Sequence, residues 1–158
     1  MRPALSPKPV RASRTQLSDL MGPPDANILG SVFGGKILAM VDKAAAVCAM
    51  RHSGKPCVTV AMERVEFLIP IHAGDLVIVE AQINCVGRTS MEIGVEVYAE
   101  DVGQGRRRHA NSCLVTMVAV DSKGRPSPIP GLLVETQEER ERRAAALERR
   151  QVRMRRKG

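Results

Sequence analysis

Between Phe33 and His52 the chain reads as a helix with almost no polar face: Ile37, Leu38, Ala39, Met40, Val41, Ala44, Ala45, Ala46, Val47, Cys48 and Ala49 surround it on every side. A helix of that kind has to be enclosed, so the rest of the fold must supply a wrapping. Gly54, with Pro56 just beyond, provides its C-terminal stop. Upstream, Gly22-Pro23-Pro24-Asp25 breaks any regular element.

The wrapping is legible as strands. Cys57 to Leu68 is rich in β-branched residues and ends at Pro70. From Asp75 to Val86, Val77, Val79, Ala81, Ile83 and Cys85 alternate with Glu80, Gln82 and Asn84. Met91, Ile93, Val95, Val97 and Ala99 repeat the pattern against Glu92, Glu96 and Glu100. Period-two alternation marks half-buried strands, and Gly87-Arg88-Thr89 is short enough to join these two as a hairpin. Arg107 to Val120 forms another long strand, and Arg14 to Met21 has room for a short one. One early buried helix followed by antiparallel strands predicts an α+β fold, a curved antiparallel sheet around a central helix.

Three segments follow from this layout. Residues 1–13 form a basic arm, expected to be loosely ordered because Pro3, Pro7 and Pro9 break any helix. Residues 14–134 form the folded body. Residues 135–158 form a charged helix with nine Arg or Lys against five Glu, so it carries much of the formal net charge of +7. Pairs such as Glu138 with Arg142 and Glu139 with Arg143 support that helix at (i, i+4) spacing. Its thin apolar content predicts a place on the rim or in solvent.

With aromatics at only 2%, the core must be aliphatic, and the basic tail lacks the stacking residues expected of a nucleic-acid binder. No apolar run approaches a membrane span. Cys48, Cys57, Cys85 and Cys113 are widely spaced with no secretory segment ahead of them, which predicts reduced thiols in the cytoplasm. His52, His72 and His109 show no metal-ligand spacing, so neither a metal nor another cofactor is expected.

The start of the buried helix carries the chemistry. Gly30-Ser-Val-Phe-Gly-Gly35-Lys36-Ile37 falls short of a phosphate-binding loop, because Ile37 replaces the needed hydroxyl and no strand precedes Gly30. What remains is a glycine-rich turn opening a helix, whose first amides have no intrahelical acceptor and suit a developing oxyanion. Asn27 adds a polar side chain, and Gly34 and Gly35 permit close approach to the backbone. Two turns on stands Asp42, with Leu38, Ala39, Ala45 and Ala46 around it. Asp on such a face has a basic partner, for which Lys43 and Arg64 are candidates, or acts as a general base or nucleophile. The second reading is favoured.

Asn27-x-x-Gly30-x-x-x-Gly34-Gly35 followed by Asp42 resembles the hotdog-fold acyl-CoA thioesterases, in particular the broad-range bacterial and brain-type hydrolases. Val58-Thr59, Val65-Glu66-Phe67-Leu68-x-Pro70, Gly74-Asp75, Gly87-Arg88-Thr89-Ser90-Met91 and Val118-Ala119-Val120-Asp121 extend the likeness, in order, from about Leu17 to Pro130. The resemblance implies hydrolysis of acyl-CoA to free acid and coenzyme A. It implies homodimers that share their active sites, assembled as trimers of dimers. It assigns Asn27 and Gly35 to carbonyl polarisation, Asp42 to water activation or direct attack, and Thr59 to assistance of Asp42. Gly34, Arg88, Thr89, Ser90 and Arg125 fall to coenzyme A. A hotdog dehydratase would need a His paired with an acid, and none lies between Met1 and Arg51. A non-catalytic acyl-CoA sensor is the remaining alternative.

Overall fold

The computed structural model describes residues 5–158. A 20-residue helix, α1 (Gly34–Ser53), runs through the centre, opened by Phe33 and closed by Gly54 in the left-handed conformation at φ 68°. Ten other stretches surround it, of which β1 (Lys8–Pro9), β2 (Thr15–Leu20), β3 (Cys57–Phe67), β4 (Leu76–Val86), β5 (Ser90–Asp101), β6 (Arg106–Ala119), β7 (Leu132–Leu133) and α2 (Gln137–Lys157) matter here. The main sheet has the order β2-β4-β5-β6-β3, antiparallel throughout, and all five strands touch α1. This is the hotdog layout. The bounds of α1 and of the long strands fall within a residue of those expected.

The inner face of the sheet and the enclosed side of α1 form one aliphatic core. Val41, Ala44, Ala45, Cys48 and Ala49 on the helix meet Val77, Val79, Ile93, Val95, Val97 and Val115 on the strands. Small side chains along α1 let the strands approach closely, which is how a core without large aromatics still packs densely. All four cysteines are free thiols. Burial alone pushes Cys113 up to about 11, and burial dominates the rise of Cys48 to about 12, so both behave as small apolar groups.

α1 is not enclosed on every side, contrary to the expectation from its composition. Gly35, Ala39, Lys43 and Met50 are exposed, with Asp42 and Ala46 half-buried beside them. These positions line one stripe, next to β3, whose outer edge has no strand partner among the described residues. Val58, Val60, Phe67 and Leu68 are likewise exposed, as are Ile28, Leu29 and Phe33 ahead of the helix. An unpaired strand edge beside an apolar stripe is open to pairing with another chain.

Two further expectations are corrected. The arm is tied down from Lys8 onward, since Lys8 and Pro9 pair in parallel with Leu132 and Leu133, and Val10 and Ser13 are buried; residues 1–4 lie outside the described part. The C-terminal helix neither stands on the rim nor projects into solvent. α2 lies on the outer face of the sheet, where Ala146 is fully buried and Arg149 pairs with Glu92 at 2.6 Å. The polar positions Asn84 and Glu92 looked solvent-facing, yet they are covered by this helix. Glu138 does pair with Arg142, whereas Glu139 turns to Arg14 at 3.2 Å and accepts the amide of Glu135.

Burial alone would raise the Glu92 carboxyl. Hydrogen bonds from Arg149 and Asn84, with the charges of Arg149 and Arg153, outweigh it and hold the group below its ordinary value of 4.5. A depressed carboxylate stabilises the fold fully above the unfolded-state value, and that stabilisation is lost as pH falls through the lowered folded one. Glu92→Gln is therefore expected to cost roughly 3 kcal/mol at neutral pH by leaving Arg149 unpaired. The gap to wild type should narrow as pH drops below 4.5, which urea titrations across that range would measure.

Candidate active site

The loop before α1 is held by Asn27. Its side-chain oxygen accepts the amides of Leu29 at 2.9 Å and Ser31 at 3.3 Å, an Asx turn in an exposed loop. Fixing the oxygen there leaves the side-chain NH2 as the available donor. Val32 then donates its amide to Ile71, and Phe33 donates to Asp25, so the chain enters α1 at a set angle. Lys36 spans Asp19 and Asp25 at 3.4 Å each. Those carboxylates hold its ammonium above the usual lysine value.

The first amides of α1, at Gly34 and Gly35, have no acceptor one turn back. Both glycines lie close under aromatic rings. A Cβ at Gly35 would collide with the ring of Phe33, and one at Gly34 would come within 3.1 Å of the ring of Phe67. Two of the chain's three aromatic rings thus lie over this backbone, an arrangement not anticipated from the sequence, although aromatic scarcity made both rings conspicuous.

Asp42 lies on the open stripe of α1. It is half-buried rather than buried, and neither Lys43 nor Arg64 pairs with it. Arg64 sits at a bulge of β3 with φ 52° and lines a groove against α2 instead. The partner of Asp42 is Thr59, whose hydroxyl donates to Oδ1 at 2.5 Å and also lies 3.2 Å from Met117 Sδ. Thr59 and Met117 are directly opposed in the β3–β6 register, which aims the threonine at the helix.

Asp42 and Gly35 are seven residues apart on one straight helix, about 10.5 Å along the axis. One chain does not bring them together. The hairpin residues share one end of the sheet with Thr59, because Ser90, Val118 and Val58 form a row across β5, β6 and β3. Two strand spacings, about 10 Å, separate Ser90 from β3. Arg88 and Thr89 are anchored through their carbonyls, to Ile129 and Ala119. Arg125 is near the same end of the sheet but is paired with Asp121 at 3.1 Å. The three histidines stay away from Asp42: His52 is buried against the Pro130 carbonyl, His72 lies in the turn before β4, and His109 is bonded to Glu96 on the outer face.

A glycine-opened helix start, a carboxylate held by a threonine and an uncovered strand edge thus stand together on a hotdog scaffold. The thioesterase superfamily model matches residues 29–105. An uncharacterized acyl-CoA thioester hydrolase of Bacillus subtilis, YkhA, is 40% identical over 117 residues, covering 74% of this chain and 68% of that one. An apo-hexameric acyl-CoA thioesterase superposes with a TM-score of 0.92 at 38% identity, covering 98% and 99% of the two chains. A Staphylococcus aureus acyl-CoA hydrolase, solved with butyryl coenzyme A and coenzyme A, gives 0.87 at 32% identity over 95% and 92%. That hydrolase has also been solved with an asparagine, an aspartate and a threonine each changed to alanine; they stand 15 and 17 positions apart. This chain belongs to the acyl-CoA thioester hydrolases of the thioesterase superfamily. Among the described residues, no helix is long and apolar enough to cross a membrane.

Proposed function

We propose that the chain hydrolyses acyl-CoA thioesters at sites shared between two copies, with Asp42 as general base. The observation that carries this is the Thr59–Asp42 hydrogen bond on the open face of α1. Thr59 occupies one carboxylate oxygen and leaves the other free to take a proton. Asn27, Asp42 and Thr59 also repeat the residue types and the spacing of the three positions changed in the Staphylococcus aureus hydrolase.

In this reading the thioester carbonyl of one site rests on the Gly35 amide and the Asn27 NH2 of one copy, and Gly34 permits the close approach. Asp42 of the other copy removes a proton from water as its oxygen attacks the carbonyl carbon. Charge moves to the carbonyl oxygen, where the amides stabilise it. Its return breaks the C–S bond, and the departing thiolate takes a proton to give free coenzyme A and the acid. Arg88, Thr89 and Ser90 hold coenzyme A. Arg125 would have to exchange Asp121 for a phosphate, and it is the weakest member of the set. The pairing is edge to edge at β3, and three such pairs form a hexamer.

Thiol release from a ladder of acyl-CoAs, followed with a thiol-reactive dye, tests the reaction and separates an enzyme from a non-catalytic sensor. In the same assay Thr59→Val is expected to lower kcat roughly 10- to 100-fold with KM little changed, the value of one hydrogen bond to a charged group. A variant with wild-type turnover would remove Thr59 from the mechanism.

A further inference from the structure

Asn111 sits where an aliphatic residue is expected. On β6 it is in phase with Cys113, Val115 and Met117, and all four are at most 1% exposed on the face turned to α1. The register makes a row of Val79, Val97, Asn111 and Phe67 across four strands. Directly opposed residues share a face with their Cβ atoms about 5 Å apart. Asn111 therefore lies beside Phe67, whose ring reaches the backbone of Gly34. A cleft of about 270 Å³, lined by Gly34, Ile37, Phe67, Ile69 and Ile71 among others, opens on the same ring.

Neither Nδ2 nor Oδ1 of Asn111 finds a hydrogen-bond partner among the described residues. Among the described residues it is the only buried side chain with a whole amide unpaired; Asn84 keeps Glu92 and His52 keeps Pro130. Such a group in an apolar core is costly unless something answers it.

We infer that Asn111 is a specificity-determining residue for the acyl chain, ending its path with a polar group behind Phe67. The inference rests on the hydrolase reading above. A carbonyl held at the start of α1 directs its chain into the cleft, and displacement of the Phe67 ring exposes Asn111 as the end wall. An alkyl terminus that reaches it covers the amide and leaves it unpaired. A hydroxyl terminus at that depth supplies both an acceptor and a donor. The chain thus selects acyl groups that stop short of Asn111 or that carry a hydroxyl where they meet it.

The test is kcat/KM for acyl-CoAs from acetyl to palmitoyl, with wild type, Asn111→Leu and Asn111→Thr. Leucine has nearly the shape of asparagine without its polar atoms, and it should raise the long-to-short ratio roughly tenfold or more. Threonine keeps a polar group and should retain the wild-type profile. With unaltered protein, a terminal hydroxyl should restore at least about fivefold at the chain length where activity falls. That arm decides the matter even if the leucine variant does not fold. An unchanged ratio in folded Asn111→Leu, or indifference of the wild type to the hydroxyl, overturns the proposal and leaves Asn111 a structural residue. A wild-type chain that releases thiol from none of the substrates refutes the hydrolase reading itself, before any ratio is formed.

Discussion

Asp42→Asn should lower kcat for thioester hydrolysis by roughly two to four orders of magnitude, the usual contribution of a positioned general base. The fold should be little affected. Asp42 is half-buried on an open stripe, its side-chain partner is Thr59, and an asparagine oxygen can accept the same hydroxyl. Binding of coenzyme A should persist, since the hairpin residues proposed to hold it make no hydrogen bond with Asp42. Thiol release at saturating substrate, read beside a melting curve, distinguishes lost chemistry from lost structure. A folded variant turning over near the wild-type rate would exclude Asp42 as the base.

Two inactive chains should make an active enzyme. In the shared site proposed above, Asp42→Asn and Asn27→Ala each remove one half, from opposite partners of a pair. In a two-fold dimer of one chain of each kind, one site carries both defects and the other carries neither. If the chains mix at random, half the dimers are of this kind, so about a quarter of wild-type activity should return on refolding the two together. The distance along α1 from Gly35 to Asp42 is what makes recovery a sharp test, since a site built within one chain could not be restored by mixing. Activity of the mixture no higher than the mean of its inactive components would rule out shared sites.

Much of this molecule was legible in its residues, and the failures have physical causes. α1 was bounded correctly because Gly54 and the glycine pair at its start act through local backbone geometry. The hairpin between β4 and β5 was legible for the same reason. The seat of α2 was not. Asn84 and Glu92 alternate in the way that marks a wet face, and only three-dimensional packing shows that Arg149 covers them. The open stripe of α1 was missed because alanine and methionine are equally at home beneath a strand or beneath a second subunit. Asn111 had a readable signal in its phase with Cys113, Val115 and Met117, but one amide in a long apolar strand is easily passed over.

The uncovered border of β3 also bears on how the protein comes into being. In the pairing proposed above, each newly folded chain presents a ready strand edge flanked by Val58, Val60 and Phe67 until a second copy covers it. Maturation is therefore a race between correct coupling and sticking to the wrong neighbour. Resistance to heat should accordingly rise with protein concentration, because dilution returns the chain to its most vulnerable form.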